Sequence, residues 1–293
     1  MVPDWITPDW PAPASVHAVS TTRSGGVSKG VYASFNLGAH VGDDPRAVAE
    51  NRLFLRSELN LAREPRWLKQ VHGASVVGIP GFIKNPLSPL GERASRNAAS
   101  GLPRMAAQGL TVKQESTAVK RVRGESEMDF GSNSVVGDAS VTQAVDQACV
   151  IMTADCLPVL LCDRVGKTVA AAHCGWRSLA ASVLENTLTT MQVPPTEILA
   201  WLGPAIGPDV YQVGDDVRTA LLKTHPEADQ AFEPQRAGKW LCDLYQIASQ
   251  RLRRAGVTHI YGGGFCTYSD RERFFSYRRD GECGRMATLI WLS

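Results

Sequence analysis

Short runs of apolar residues separated by polar turns predict many short strands along the chain. The predicted strands cover residues 16–20, 67–77, 148–152, 157–162, 167–173, 198–202, 259–261 and 286–292. Apolar positions at helical spacing predict helices after Asp43-Asp44-Pro45 and over residues 177–191, 214–225 and 243–255. Because strands and helices are mixed without strict alternation, we expect one α+β domain over residues 1–293, with mixed β-sheets packed together and flanking helices.

The segment 79–136 differs from the rest of the chain. It is rich in Gly, Pro, Ser, Arg and Ala and lacks long apolar runs. Loops of this length are uncommon inside compact domains. We therefore predict a flexible insertion here, either largely disordered or acting as a lid.

The overall composition is ordinary for a globular protein and excludes several classes of function. Of the 293 residues, 44% are hydrophobic and 20% are charged, and the formal net charge is +2. That balance argues against a nucleic-acid or acidic-membrane partner. The sequence has neither a long apolar run nor a signal-peptide pattern, so we expect a cytoplasmic protein that spans no membrane. A monomer and a small homo-oligomer both remain open.

Cysteine and histidine counts restrict the metal chemistry. The chain has seven cysteines and no Cys-x-x-Cys pair, which argues against a disulfide framework and excludes a zinc ribbon. It has six histidines, and no two of them are spaced as His-x-His. A multicopper centre needs more clustered histidines than this chain offers.

A predicted hairpin brings together two residues that can carry chemistry. A turn centred between Arg164 and Val165 places Cys156 directly opposite His173, where Cβ atoms are about 4.5–5.5 Å apart. This spacing suits two ligands of one metal ion or a thiol with its base, although a buried thiol beside a hydrogen-bonded histidine fits it equally well. Pro158 requires an edge or a bulge nearby, which would shift the register. His72 is the candidate for a third ligand.

The segment after this hairpin has features of an anion site. Gly175 precedes a predicted helix whose first backbone N–H groups are free to bind an anion. Arg177 adds a guanidinium suited to phosphate or carboxylate.

Several motifs in order along the chain resemble one family. They are Ser20-Thr21-Thr22-Arg23-Ser24-Gly25-Gly26, Asn36-Leu37-Gly38-Ala39-His40, Gln70-Val71-His72-Gly73, Gly137-Asp138-Ala139, Thr153-Ala154-Asp155-Cys156-Leu157-Pro158, His173-Cys174-Gly175-Trp176-Arg177, Gly203-Pro204-Ala205-Ile206-Gly207-Pro208, Cys266-Thr267 and Phe274-Phe275-Ser276-Tyr277-Arg278-Arg279-Asp280-Gly281. Together they resemble the YfiH-type laccase-domain family, whose members are called polyphenol oxidase, purine nucleoside phosphorylase or peptidoglycan editing factor. The resemblance runs from about Val16 to Leu292, apart from the insertion.

This resemblance implies an α+β fold and a metal site of two histidines and one cysteine. The implied ligands are His72, Cys156 and His173, usually around Zn²⁺, although Cu²⁺ accepts the same ligand set. The remaining residues that it implies near the pocket are Arg23, Asn36, Asp138 and Arg177, with weaker support for Asp155, Cys266 and Tyr277. The chain departs from the family pattern at Ser140, Cys174, Ser178 and Gln212.

The first function that the resemblance implies is a zinc-dependent purine nucleoside phosphorylase. The implied substrates are adenosine, inosine, guanosine or methylthioadenosine together with phosphate, with adenosine deamination as a second activity. In that scheme three protein ligands leave an open position for water on the metal. Asp155 or Asp138 relays a proton, and Arg23, Asn36, Arg177 and Tyr277 bind substrate.

Three other functions remain open at this point. The runner-up is a cytoplasmic amide hydrolase that edits peptidoglycan precursors, with metal-bound water or the Cys156 thiolate as nucleophile. The third is a copper-dependent, laccase-like phenol oxidase with a single copper ion. The last is a zinc-stabilised protein without catalysis, in which Cys174 or Cys266 supplies a fourth ligand.

Overall fold

The computed structural model describes residues 3–79 and 135–293. Within these residues the strands are β1 Val16–Ser20, β2 Val76–Gly78, β3 Ala139–Thr142, β4 Cys149–Thr153, β5 Leu157–Asp163, β6 Val169–Cys174, β7 Ile198–Leu202, β8 Gln212–Gly214, β9 Phe232–Pro234, β10 Lys239–Cys242, β11 His259–Gly262 and β12 Met286–Leu292. The α-helices of the same residues are α1 Pro45–Glu58, α2 Trp176–Ala180, α3 Val183–Met191, α4 Asp215–Thr224, α5 Leu244–Arg254 and α6 Tyr277–Asp280.

The strands of the described residues form three sheets. The largest has six strands in the order β11-β7-β5-β6-β3-β2, and it is mixed because the β11–β7 and β2–β3 pairs are parallel. A second sheet has the order β1-β12-β4, and a third, smaller sheet has the order β8-β10-β9. Mixed sheets and helices in one chain confirm the predicted α+β class.

The two main sheets pack face to face, and helices cover the outside. Leu160 of β5, Ala171 of β6 and Ile290 of β12 lie in one buried cluster between the six-stranded sheet and the β1-β12-β4 sheet. The neighbouring residues of β5 and β6 point the other way, into a cluster shared with α3, α4 and α5. Since both faces of the large sheet are covered, its central strands are continuous apolar runs rather than alternating ones.

The outer face of the β1-β12-β4 sheet is covered by α1. Leu55 of this helix packs with Val19, Val150 and Leu289. The helix starts as the sequence predicts, with the Asp44 carboxylate accepting a hydrogen bond from the Arg46 N–H and proline at the first position. The protein thus has four layers, in the order helix, sheet, sheet, helix.

Most predicted elements are confirmed, and two are wrong. The predicted strand over 67–77 is reduced to β2, because residues before it turn back toward Asp138 and His72 adopts a left-handed conformation with φ 59°. The predicted helix over 177–191 is two helices, α2 and α3, separated at Ser182 with φ 70°. The Arg251 guanidinium donates hydrogen bonds to Ser182 Oγ and Glu185 Oε1, so a tertiary contact stabilises this break. The short strands β3, β8, β9 and β10 were not predicted.

The predicted insertion at 79–136 lies almost wholly outside the described residues, and its nature stays a prediction. Its two described ends pack on the same buried cluster between the sheets, Ile79 as a core residue and Val135 at the edge. In the described part of the chain, the structure contains no helix long and apolar enough to cross a membrane.

Candidate metal centre

The centre lies where β5 begins and β6 ends, at one edge of the interface between the two main sheets. His173 is the second-last residue of β6, on the strand face that Ala171 turns toward the β1-β12-β4 sheet. Cys156 immediately precedes β5 and lies an even number of residues before Leu160, whose side chain faces the same interface. Strand alternation therefore places both side chains on the same side of the large sheet.

The observed hairpin register corrects the predicted one. Pro158, not Cys156, lies opposite His173. Gly166 adopts a left-handed conformation with φ 69° and Asp163 accepts hydrogen bonds from Lys167 N and Thr168 N, so the turn is centred one residue later than predicted. A shift of two positions between partners keeps every side chain on its face, and Cys156 becomes the diagonal neighbour of His173.

Pro158 is accommodated in this central strand without a bulge. Its carbonyl accepts a hydrogen bond from Gly203 N. In a sheet without proline, the backbone N–H at position 158 would donate to the Gly203 carbonyl. Here that carbonyl accepts a hydrogen bond from the Tyr245 hydroxyl at 3.1 Å instead. The missing proline N–H therefore leaves no unpaired carbonyl in the sheet.

Three ligand-type atoms converge at this edge. The ring nitrogens of His72 and His173 and the Sγ of Cys156 all lie within 4.8 Å of one another. The two imidazole rings meet edge to face with centroids 4.8 Å apart. A Cβ added at Gly175 would lie 2.7 Å from Cys156 Sγ and 3.5 Å from His72 Cδ2, so only glycine leaves room for this cluster.

Asp138 holds both histidines in place. Its Oδ1 accepts hydrogen bonds from the His173 Nδ1–H at 3.0 Å and from His72 N at 2.8 Å, and its Oδ2 accepts one from Gly73 N at 2.7 Å. The backbone bonds stabilise the left-handed conformation of His72, which a residue with a Cβ rarely adopts. The bond to Nδ1 leaves Nε2 of His173 as the ring atom facing the cluster.

The charged forms of Cys156, His173 and Asp138 stabilise one another. Burial alone would raise the pKa of the Cys156 thiol, but the charge of His173 and hydrogen bonds from His173 and His72 lower this pKa to about 6. Burial alone would lower the pKa of His173, but the Cys156 thiolate and Asp138 raise it to about 9. Burial of Asp138 opposes ionisation, yet its bonds to His173 and to the backbone lower its pKa. All three shifts favour the ionised forms, a thiolate on Cys156, an imidazolium on His173 and a carboxylate on Asp138.

These residues fit a metal ion. A thiolate and two imidazoles are ligands that zinc and copper both accept, and the Asp138–His173 bond is the usual outer support of a metal-binding histidine. Cys174 and Cys266, the predicted alternatives for a fourth ligand, are not members of the cluster formed by the described residues. The Cys174 side chain faces the helix layer, and Cys266 Sγ accepts hydrogen bonds from Gly207 N and Ser269 N instead. Three protein ligands are the pattern of a catalytic rather than a structural zinc site.

The cluster opens into a cavity of about 570 Å³. Besides the three ligands, the cavity is lined by His40, Gln70, Met152, Thr153, Ala154, Asp155, Trp176, Arg177, Tyr211, Tyr277, Arg278 and Arg285. The lining combines aromatic rings with three arginines and a single carboxylate, which suits a flat aromatic ligand together with an anion.

The structure brings only some of the predicted binding residues to this cavity. Arg177 and Tyr277 line it. Asp155 also lines it, but its carboxylate accepts hydrogen bonds from the Thr267 hydroxyl and from Arg278 N, both at 2.7 Å. Two oxygens engaged in this way favour a positioning role over the predicted proton relay.

Arg23 and Asn36 do not line the cavity. The Arg23 guanidinium donates to the Ala33 carbonyl and stacks 4.6 Å from the Phe275 ring centroid. Asn36 is fully buried, and its Oδ1 accepts a hydrogen bond from Arg285 N at 2.9 Å. Asn36 therefore supports the cavity residue Arg285 from behind, and direct contact of Arg23 or Asn36 with substrate stays a prediction.

Arg278 and Arg285 are cavity residues that the sequence analysis missed. Arg278 lies inside a motif that was recognised, next to the predicted Tyr277, and its basic charge was the available signal. Arg285 follows the motif in an unremarkable stretch, and only the fold brings it to the cavity. The predicted anion site at the helix after Gly175 loses support, because α2 has only five residues and a correspondingly small dipole.

Comparison with known proteins agrees with this fold. The family model described as multi-copper polyphenol oxidoreductase laccase matches residues 17–293, and the chain belongs to this family. It is 46% identical over 289 residues to purine nucleoside phosphorylase PA4543 of Pseudomonas aeruginosa, and 44% identical over 287 residues to purine nucleoside phosphorylase YfiH of Escherichia coli K12. Each alignment covers 98% of this chain and 98% of the relative.

Two solved structures show the same fold. The crystal structure of Neisseria meningitidis protein NMB0706 matches with a TM-score of 0.79 and 44% identity, over 99% of both chains. The crystal structure of YlmD from Geobacillus stearothermophilus matches with a TM-score of 0.79 and 29% identity, over 100% of this chain and 97% of that one. These likenesses confirm the YfiH-type resemblance found in the sequence.

Proposed function

We propose that this protein is a metal-dependent purine nucleoside phosphorylase that also deaminates adenosine. The observation that carries the proposal is the His72–Cys156–His173 cluster opening into a cavity with aromatic and cationic walls. The relatives at 44% and 46% identity carry the name purine nucleoside phosphorylase, which supports the same reaction class here.

Phosphorolysis needs three things from the cavity. A phosphate oxygen forms a bond to C1′ of the ribose while the C1′–N9 bond breaks, and the purine leaves with the bonding electrons. The cavity must hold the base flat, hold phosphate beside the ribose and exclude bulk water. Trp176, Tyr211 and Tyr277 supply aromatic faces for a purine, and the arginines supply positive charge.

We propose Zn²⁺ as the metal, held by Nε2 of His173, a ring nitrogen of His72 and Sγ of Cys156. When bound, zinc supplies Lewis-acid polarisation at the position that three protein ligands leave open. The chain's own contribution is to keep Cys156 ionised and His173 in one orientation. Asp138 does the latter through the bond at Nδ1. For deamination the same cavity orients the purine so that water adds at C6 and ammonia leaves.

The test is product analysis with purified, untagged protein. We expect adenosine with phosphate to yield adenine and ribose 1-phosphate, and adenosine without phosphate to yield inosine. Cys156→Ala abolishes both activities together with bound zinc, whereas Cys242→Ala, a buried cysteine outside the cavity, leaves both unchanged. Adenine formed equally with and without phosphate would refute phosphorolysis.

The same assay separates the alternatives. Absence of both products from a protein that holds zinc would favour the amide hydrolase, to be assayed with peptidoglycan precursors. Activity that appears only after reconstitution with copper and consumes phenols would favour the oxidase. Full activity in metal-free Cys156→Ala protein would refute a metal centre of any kind.

A further inference from the structure

Three arginines line the cavity without a carboxylate partner. Arg177, Arg278 and Arg285 take part in none of the ion pairs found among residues 3–79 and 135–293. Elsewhere in the described residues, Arg251 and Arg279 are each bound to a carboxylate. Like charges around one cavity repel one another unless an anion joins them.

Two of these arginines are held in place by hydrogen bonds to other residues of the protein. The Arg278 backbone N–H is bound by Asp155 Oδ2 at 2.7 Å, and its Nη1 donates to the Gln212 carbonyl at 2.7 Å. The Arg285 backbone N–H is bound by Asn36 Oδ1 at 2.9 Å, and its Nη1 donates to the Cys283 and Gly284 carbonyls. In each guanidinium group, Nη1 is thus hydrogen-bonded to a backbone carbonyl of the protein.

The remaining N–H groups of these two guanidinium groups are available to bind a ligand. Among the described residues, Nε and Nη2 of Arg278 and of Arg285 have no protein acceptor. The rings of Tyr211 and Tyr277 lie 5.1 Å and 5.8 Å from the Arg278 and Arg285 Cζ atoms, respectively, which fixes the guanidinium planes further. Arg177 is different, because among the described residues its guanidinium makes no hydrogen bond to the protein and rests only on the neighbouring Trp176 ring.

We propose that Arg278 and Arg285 form the phosphate subsite of the cavity, with Asp155 and Asn36 as positioning residues. A held guanidinium with one free edge is the geometry that binds a phosphate oxygen pair. The subsite lies in the same cavity as the His72–Cys156–His173 cluster, so phosphate and nucleoside occupy it together. This assignment rests on the proposed phosphorolysis, and it differs from the predicted anion site at Arg177 and the start of α2.

The test compares Michaelis constants for the two substrates. We expect Arg278→Gln and Arg285→Gln each to raise KM for phosphate about 10- to 100-fold, which is the loss of one or two charged hydrogen bonds, with KM for the nucleoside nearly unchanged. Arg46→Gln removes the same charge from an exposed arginine outside the cavity and is the matched control. Arg285→Lys keeps the charge and loses the paired N–H groups, so a raised KM for phosphate here identifies the hydrogen-bond geometry. A similar rise in both KM values, or none in KM for phosphate, would overturn the proposal.

Direct binding separates this subsite from the proposed reaction. Calorimetric titration of the zinc-loaded protein with inorganic phosphate is expected to show binding that Arg278→Gln/Arg285→Gln loses and Arg46→Gln keeps. That result supports the subsite even if no phosphorolysis is detected. If the double variant loses affinity for adenosine monophosphate but keeps it for inorganic phosphate, the arginines bind a phosphorylated substrate and the phosphate subsite is refuted.

Discussion

Replacing Asp138 by Asn tests whether one carboxylate organises the whole metal centre. The Asn side chain has the same shape, but it has a single acceptor oxygen and no charge. Asp138 accepts hydrogen bonds at both oxygens, from His173 Nδ1 and His72 N on one and from Gly73 N on the other. In the variant, the amide NH₂ must therefore face at least one N–H donor.

The magnitude follows from the bonds that are lost. A hydrogen bond to a charged group contributes about 1.5–3 kcal/mol, and groups that support a metal ligand from behind typically change metal affinity by about 10- to 100-fold. We expect Asp138→Asn to weaken zinc binding by about that factor. At saturating zinc this corresponds to a loss of about 1.4–2.7 kcal/mol of the stability that zinc contributes.

The assay is zinc competition against a chromophoric chelator, combined with thermal unfolding with and without zinc. The matched control is Asp163→Asn, because Asp163 is also buried and accepts two backbone N–H bonds, at the turn of the β5–β6 hairpin and away from the metal centre. The control is expected to lower Tm with and without zinc alike, whereas Asp138→Asn reduces the zinc-dependent part. A zinc affinity of Asp138→Asn within twofold of the wild type would show that the histidines are positioned without the carboxylate.

Three further predictions follow from the same geometry. Gly175→Ala places a Cβ at 2.7 Å from Cys156 Sγ, so we expect a large loss of zinc measured by mass spectrometry of the native protein, and normal zinc content would contradict the packing. In metal-free protein, the difference in iodoacetamide labelling between wild type and Cys156→Ala is expected to be level above pH 7 and to fall as the pH drops through about 6, because the thiolate is protonated there, and a rate that keeps rising through pH 8 would contradict the lowered pKa. Replacing residues 80–134 by a short Gly/Ser linker is expected to keep the fold and zinc content, since Ile79 and Val135 retain their shared buried cluster, and loss of folded protein would show that the segment is structural.

The sequence was most informative where local pattern and tertiary structure agree. Strands 16–20, 198–202 and 286–292 have the predicted bounds. The last two are short, largely buried apolar runs in the middle of a sheet, and 16–20 is an edge strand paired along its whole length with β12. The start of α1 was readable from Asp44 and Pro45 alone, since capping is a local interaction. The ligand set of His72, Cys156 and His173 came from the family resemblance, and the structure brings its atoms together.

The tertiary structure decided the features that depend on contacts between residues far apart in the sequence. His72 was predicted in a strand, yet the Asp138 carboxylate, 66 positions away, draws its backbone N–H into a left-handed turn. Arg285 carries no local signal and reaches the cavity because buried Asn36, 249 positions away, binds its backbone. The sequence by itself determined the α+β class and most of the strands, since these follow from residue type and short-range periodicity, and its motifs indicated the ligand set through the family resemblance. Which side chains line the cavity depended on pairings between residues far apart in the chain, and such pairings have no local pattern.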